Sequence, residues 1–188
     1  MNRQEAMILL KEYTDKPGLL QHAFAVEAAM RAYAKTFGED IEAWGAVGLL
    51  HDFDYQRFPS EMDHPYRGAD ILREKDVDED WIEAIMGHAD YTGVPRRSRM
   101  AKTLFAVDEL CGFLVACALV RPSKSLDDLT PKSVHKKMKD KGFAAAVSRE
   151  DIRSGASELG VDLTEHMAFL IEALRPIGDQ LGLRMITP

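Results

Sequence analysis

Residues 43–52 read AWGAVGLLHD. Together with Ile41, the residues Trp44, Val47 and Leu50 or His51 recur at helical spacing, so the stretch predicts a buried helix from about Glu39 that ends on a histidine and an aspartate. Neighbours in a regular helix point about 100° apart and rarely serve one point. At a helix end that constraint loosens, and both side chains can reach one ion. The plainer alternative is a C-terminal histidine near the helix dipole beside a solvated aspartate.

Outward from this stretch the same periodicity dominates, with no convincing alternation of the strand kind. A helix is expected over roughly 2–14, with Ala6, Leu9, Leu10 and Tyr13 on one face, broken by Pro17-Gly18. The next runs from about Leu19 to Phe37, stops at Gly38, and carries His22, Val26, Ala29 and Tyr33 on one side. Pro65 suits the first position of a helix reaching about Lys75. Asp78 or Asp80 caps one bearing Trp81, Ile82, Ile85, Met86 and Ala89, stopped by the turn Thr92 to Pro95. Ser98 to Val120 is the longest and most apolar. Thr130-Pro131 looks like a start, Ser148 with Asp151 caps a helix ending at Gly160, and a last helix spans about Thr164 to Leu181. The expectation is an all-α, single-domain helical bundle of eight or nine helices over 1–188. Its core lies in about 18–120, and the helices of about 121–185 pack on it.

Composition narrows the function. The chain is 46% hydrophobic and 29% charged, ordinary for a globular protein, and its net charge of −7 disfavours a large nucleic acid as partner. Asp108 and Glu109 interrupt the apolar run Leu104 to Val120, which makes it a core helix and not a membrane span. Cys111 and Cys117 form no CxxC pattern, and MNRQEAMILLKEYT does not resemble a signal peptide, so a cytoplasmic protein with reduced thiols is expected. Acids greatly outnumber bases from Glu39 to Asp90, whereas Lys132 to Lys141 holds five lysines and one aspartate. If the fold brings these together, a cationic rim would border an acidic site. A homo-oligomer stays open.

Chemistry concentrates in the first half, where His22, His51, His64 and His88 lie. Imidazole and carboxylate donors suit Mn, Fe, Co, Ni or Zn, with Mg for an oxygen-rich site. His22 sits on an apolar helix face. Asp108 lies within TLFAVDELCGFLVA on the side of Leu104, Cys111 and Val115, where a carboxylate needs a cation or several donors.

The order His22, His51-Asp52, Asp108 resembles the HD superfamily of metal-dependent phosphohydrolases, in LLQHAFAVEAAMRAYA, GLLHDFDY and LFAVDEL. The resemblance implies that these four residues hold one divalent ion. HPYRGADIL, residues 64–72, is similar to the HPxxGxxIL segment of members that bind two ions, and His88 in IMGHAD to their next ligand. Carried over, His64 and His88 bind a second ion with Asp52 bridging. The chain departs from the HDxGK group, having Asp54 and Tyr55 where glycine and lysine stand, and it has His88-Ala89 where some relatives have two histidines. Cyclic-dinucleotide hydrolysis is therefore not supported. As a whole, the chain looks most like a small bacterial group of predicted HD hydrolases.

The resemblance implies a hydrolase of a small phosphorylated molecule, a nucleotide or other phosphoester, acting through metal-activated water. Asp52 would orient or deprotonate that water. Asp54 is a second catalytic candidate, as a base or as a partner of the ligands. Lys102, Arg121 and Lys124 are candidates for substrate phosphate. The six donors also resemble those of HD relatives that hold a di-iron pair and cleave carbon bonds with oxygen, so an oxygenase is the first alternative. A non-catalytic module that senses metal or nucleotide is the second. His135 and His166 fall outside the motif order and are read as surface or structural histidines.

Overall fold

A computed structural model of the chain describes residues 1–184, which contain nine α-helices, two short 3-10 segments and no strand. The all-α class read from the sequence is what the structure shows. Among the described residues no helix is long and apolar enough to cross a membrane.

Helix α1 (Arg3–Tyr13) opens with a capping box, in which the Asn2 side chain accepts the Glu5 backbone N–H while Glu5 accepts that of Asn2. Helix α2 (Pro17–Phe37) begins two residues before the expected Leu19. Pro17 takes the first turn, where a missing N–H costs nothing, so the Pro-Gly pair starts this helix rather than only ending the previous one. Gly38 closes it at φ 72°, a conformation that disfavours a Cβ. Helix α3 (Ile41–Leu50) is capped by Asp40, whose carboxylate accepts the N–H groups of Glu42 and Ala43. Ile41, expected inward, is 37% exposed, because it stands at the helix start before the buried run Trp44 to Leu50.

Helices α4 (Tyr66–Glu74) and α5 (Glu79–Gly87) follow a turn-rich loop. Pro65 caps α4 from outside rather than occupying its first turn. Helix α6 (Arg99–Leu119) starts at Ser98, α7 (Pro131–Met138) at Thr130 and α8 (Arg149–Leu159) at Ser148, each accepting a backbone N–H on its hydroxyl. Helix α9 (Leu163–Leu174) is shorter than the span expected to Leu181. Pro176 lacks a donor and ends the α-helix, and the chain continues as a 3-10 segment, Arg175–Leu181.

Two long helices organise the packing. Helix α3 lies along α2, and α6 packs on α2, α5 and α8. Glycines permit the closest approaches. A Cβ on Gly48 would sit 2.9 Å from the Val26 carbonyl oxygen, and one on Gly155 only 2.6 Å from the Ala106 Cα. The core runs through the inner faces of these helices, with Leu49, Leu50, Phe53, Leu104, Leu110 and Phe113 fully buried. His166 is buried, its Nε2–H donating to the Ala106 carbonyl at 2.9 Å and its Nδ1 accepting from Tyr33 at 2.6 Å. It joins α9 to α2 and α6, so its structural reading is what the fold uses.

Candidate metal centre

Six side chains from five parts of the fold converge. His22 comes from the second turn of α2, and Asp108 from the middle of α6. His51 and His88 are the residues that close α3 and α5. Each turns its Nδ1–H back onto the carbonyl three residues earlier, Gly48 for His51 at 2.8 Å and Ile85 for His88. Asp52 and His64 stand in the loop between α3 and α4.

The donors fall into two groups: His22, His51 and Asp108, and then Asp52, His64 and His88. In the first, His22 Nε2 lies 2.9 Å from Asp108 Oδ1 and 3.1 Å from His51 Nε2, and His51 Nε2 is 3.5 Å from Asp108 Oδ1. In the second, Asp52 Oδ1 is 3.2 Å from both His64 Nε2 and His88 Nε2. The other oxygen of Asp52, Oδ2, faces the first group at 3.6 Å from His51 Nε2. Asp52 thus spans the two groups, while its neighbour His51 belongs to the first.

Hydrogen-bond accounting shows what this arrangement needs. The Gly48 and Ile85 carbonyls only accept, so His51 and His88 carry a proton on Nδ1. The Nδ1 of His64 faces the Asp54 carboxylate at 2.8 Å and carries one too. In neutral rings the three Nε2 atoms are then lone pairs. Two of them face a carboxylate oxygen and the third faces another imidazole nitrogen. Only added positive charge resolves this, either an imidazolium proton or a metal ion. Imidazole held through Nδ1 with Nε2 directed inward is the usual posture of a metal ligand. The separations near 3 Å also match the edge of a coordination shell with bonds of about 2.0–2.1 Å. The donor set therefore fits a divalent ion in each group.

Without a metal, protons carry that charge. Burial opposes ionisation of His64, but the carboxylates of Asp52 and Asp54 outweigh it and push the ring up to about 9. Burial likewise opposes charge on His51 and His88, and Asp52 and Asp108 raise both. Burial acts against the Asp52 and Asp108 carboxylates as well, yet the neighbouring histidines hold both below the usual carboxylate range. Glu109, beside Asp108, accepts the Ser148 N–H at 3.0 Å; burial and then Asp108 push it up to about 7.

Of the two readings of Asp54, as a base or as a partner of the ligands, the geometry is that of a partner. It is 1% exposed, and both oxygens are engaged, Oδ1 by His64 and Oδ2 by the Gly68 N–H at 2.8 Å. It fixes the orientation of His64 from behind. A Cβ on Gly68 would fall 2.9 Å from the Asp54 carboxyl carbon, which explains a glycine there.

A family model described as HD domain matches residues 19–111. The chain is an HD-domain protein. No solved structure was found to match it. The match begins just before His22 and ends just past Asp108, so all six donors lie within it.

The three cationic candidates lie apart from the HD centre. Lys102 precedes Asp108 on α6 by roughly 9 Å along the axis, on another face, within charge reach of Glu158. Arg121 lies beyond the end of α6, on the order of 20 Å from Asp108 along the helix. Its guanidinium pairs with Asp128 at 2.7 Å. Lys124 stands three residues further on, in the loop where its carbonyl accepts the Arg184 N–H. The lysines of α7 border a cavity of about 430 Å³ lined by Cys117, Arg121, Lys136 and Lys137, at the same far end. The expected cationic rim beside the acidic site does not form there.

Sequence reasoning passed over the tyrosines around His64. Tyr55 stands edge-on to it with ring centroids 5.2 Å apart, and Tyr91 donates its hydroxyl to the His64 carbonyl at 3.0 Å. Burial, then Asp52 and Glu61, raise the Tyr91 phenol to about 12. Tyr55 was visible beside the motif as the residue standing where other members carry lysine. Tyr91 carried no local signal.

Proposed function

We propose that this HD-domain protein is a phosphohydrolase that uses divalent metal to cleave a small phosphorylated molecule, a nucleotide or other phosphoester. One observation carries the reading: six nitrogen and oxygen donors form two adjoining groups with Asp52 between them. His22, His51 and Asp108 would hold one ion, and His64, His88 and Asp52 the other. Four imidazoles favour Mn, Fe, Co, Ni or Zn over Mg. A divalent ion bound there would supply Lewis acidity and lower the pKa of bound water toward about 7.

The protein's own groups account for the rest. His51 is fully buried, and His64 and His88 nearly so, whereas side-chain exposure reaches 22% at His22, 24% at Asp52 and 17% at Asp108. The centre therefore opens along these three residues, where a phosphoryl group can approach. Asp52, partly open and spanning both groups, is the carboxylate placed to orient a water or take its proton. Asp54 holds His64 and is not available as the base. Two buried free thiols, Cys111 and Cys117, agree with a cytoplasmic setting.

The test joins elemental analysis of gently purified protein to a phosphoester panel with Mn, Mg, Fe, Co and Ni. The expected result is bound metal and hydrolysis lost in His51→Ala. Hydrolysis that survives His51→Ala sinks the assignment. Two equivalents of iron with oxygen-dependent turnover and no phosphatase activity would instead support the di-iron oxygenase. Metal binding with turnover of neither kind would support a sensing module.

A further inference from the structure

The rim of the centre on the His64 side is aromatic and acidic. Tyr55 and Tyr91 contact His64, and Tyr66 opens α4 two residues after it. These rings remain 40%, 44% and 37% exposed, respectively, unusual for large side chains beside buried donors. Glu61, in the same loop, is exposed and makes no salt bridge among the described residues. The nearby arginines are engaged elsewhere. Arg57 lies over the Tyr13 ring at 4.2 Å and donates to the Glu12 carbonyl. Arg67 bonds Asp63 at 3.3 Å, and Arg96 pairs with Asp90 at 2.6 Å and Glu158 at 2.7 Å.

This rim offers phenol rings and negative charge, and the guanidiniums of Arg57, Arg67 and Arg96 are held by other partners. An additional phosphate on the substrate would meet nothing favourable there. A positively charged group would meet the negative faces of phenol rings and a free carboxylate, the combination that attracts ammonium ions. We infer that Tyr55, Tyr66 and Tyr91 are specificity-determining residues that take an organic cation, a primary or quaternary ammonium borne by the substrate a few bonds from its phosphoryl group. The phosphoryl half of this inference rests on the phosphohydrolase reading, whereas the cation half does not.

Two measurements separate them. The first compares kcat/KM for phosphocholine with that for 3,3-dimethylbutyl phosphate, which has the same shape and no charge. A preference of roughly tenfold for the cation is expected, as for a partly desolvated cation on aromatic rings. It should fall toward unity in Tyr55→Leu/Tyr91→Leu, through KM more than kcat, and persist in Tyr91→Phe, which keeps the ring. The second measures binding of tetramethylammonium and of neopentyl alcohol to the zinc-loaded protein by ligand-observed NMR, with and without the leucine substitutions. Selective binding of the cation, weakened by those substitutions, is expected. Equal handling of charged and uncharged ligands overturns the inference, as does a preference for phenyl phosphate over both esters. If no ester is hydrolysed, the phosphohydrolase reading fails, and the NMR result still decides whether the rim binds a cation. Metal content and circular dichroism of the leucine variant show whether it has folded, and Tyr55→Leu alone serves if it has not.

Discussion

At the scale of the residue, Asp54 shows how much of the centre depends on a side chain that offers no donor to an ion. Its two oxygens hold the His64 ring and the Gly68 N–H, both from within the protein. Asp54→Ala should lower metal affinity by roughly 10–100-fold, the usual cost of losing a partner behind a ligand. Competition with a chelator measures this, and unchanged affinity would reduce Asp54 to a loop anchor. Gly68→Ala, which crowds the same carboxylate, should weaken metal binding in the same direction. The raised pKa of His64 sets a second expectation. In metal-free protein its folded value, about 9, lies above the ordinary 6.5. The stability it contributes is thus fully present below pH 6.5 and is lost as pH rises through about 9. Metal needs the neutral ring, so loading at pH 7 should release protons, and apparent affinity should climb as pH approaches that value. Titration with metal in weakly buffered solution reads the released protons directly. Loading without proton release would contradict the charge assignment.

At the scale of the element, close helix contact sets the position of the first donor group. Gly48 lets α3 approach the backbone of α2, and these helices present His51 and His22. Gly48→Ala should cost about 1–3 kcal/mol, as overpacking does, and should also reduce metal occupancy. Gly155→Ala, whose Cβ would press on Ala106 of α6 two residues before Asp108, should cost a similar amount and also reduce metal occupancy. Urea denaturation with metal analysis reads both effects. The helices themselves were largely legible in the sequence, because Ser98, Thr130, Ser148 and Gly160 are local signals acting within one turn. Pro176 was equally visible, and its effect shortened the last helix. The site divided along the same line. His22, His51 and Asp108 could be read because a polar residue within an apolar periodic stretch asks for a partner. The bridging role of Asp52 could be read only from the family resemblance; the engagement of Asp54 and the arrival of Tyr91 depend on how the loop after α3 folds back, and no periodicity encodes that path.

At the scale of the whole molecule, charge is segregated. The acidic stretch carries four of the six donors, and the lysines of α7 border the far end of α6. Lys136→Ala/Lys137→Ala should therefore leave kcat/KM for a small phosphoester unchanged. A large loss would show that α7 steers substrate after all. The centre as a whole depends on two donor groups sharing Asp52, and metal stoichiometry is its plainest test. Protein loaded with Mn and freed of excess should hold two ions per chain, and His64→Ala should hold one. No retained metal in the folded wild-type protein, or one ion in both forms, would contradict it.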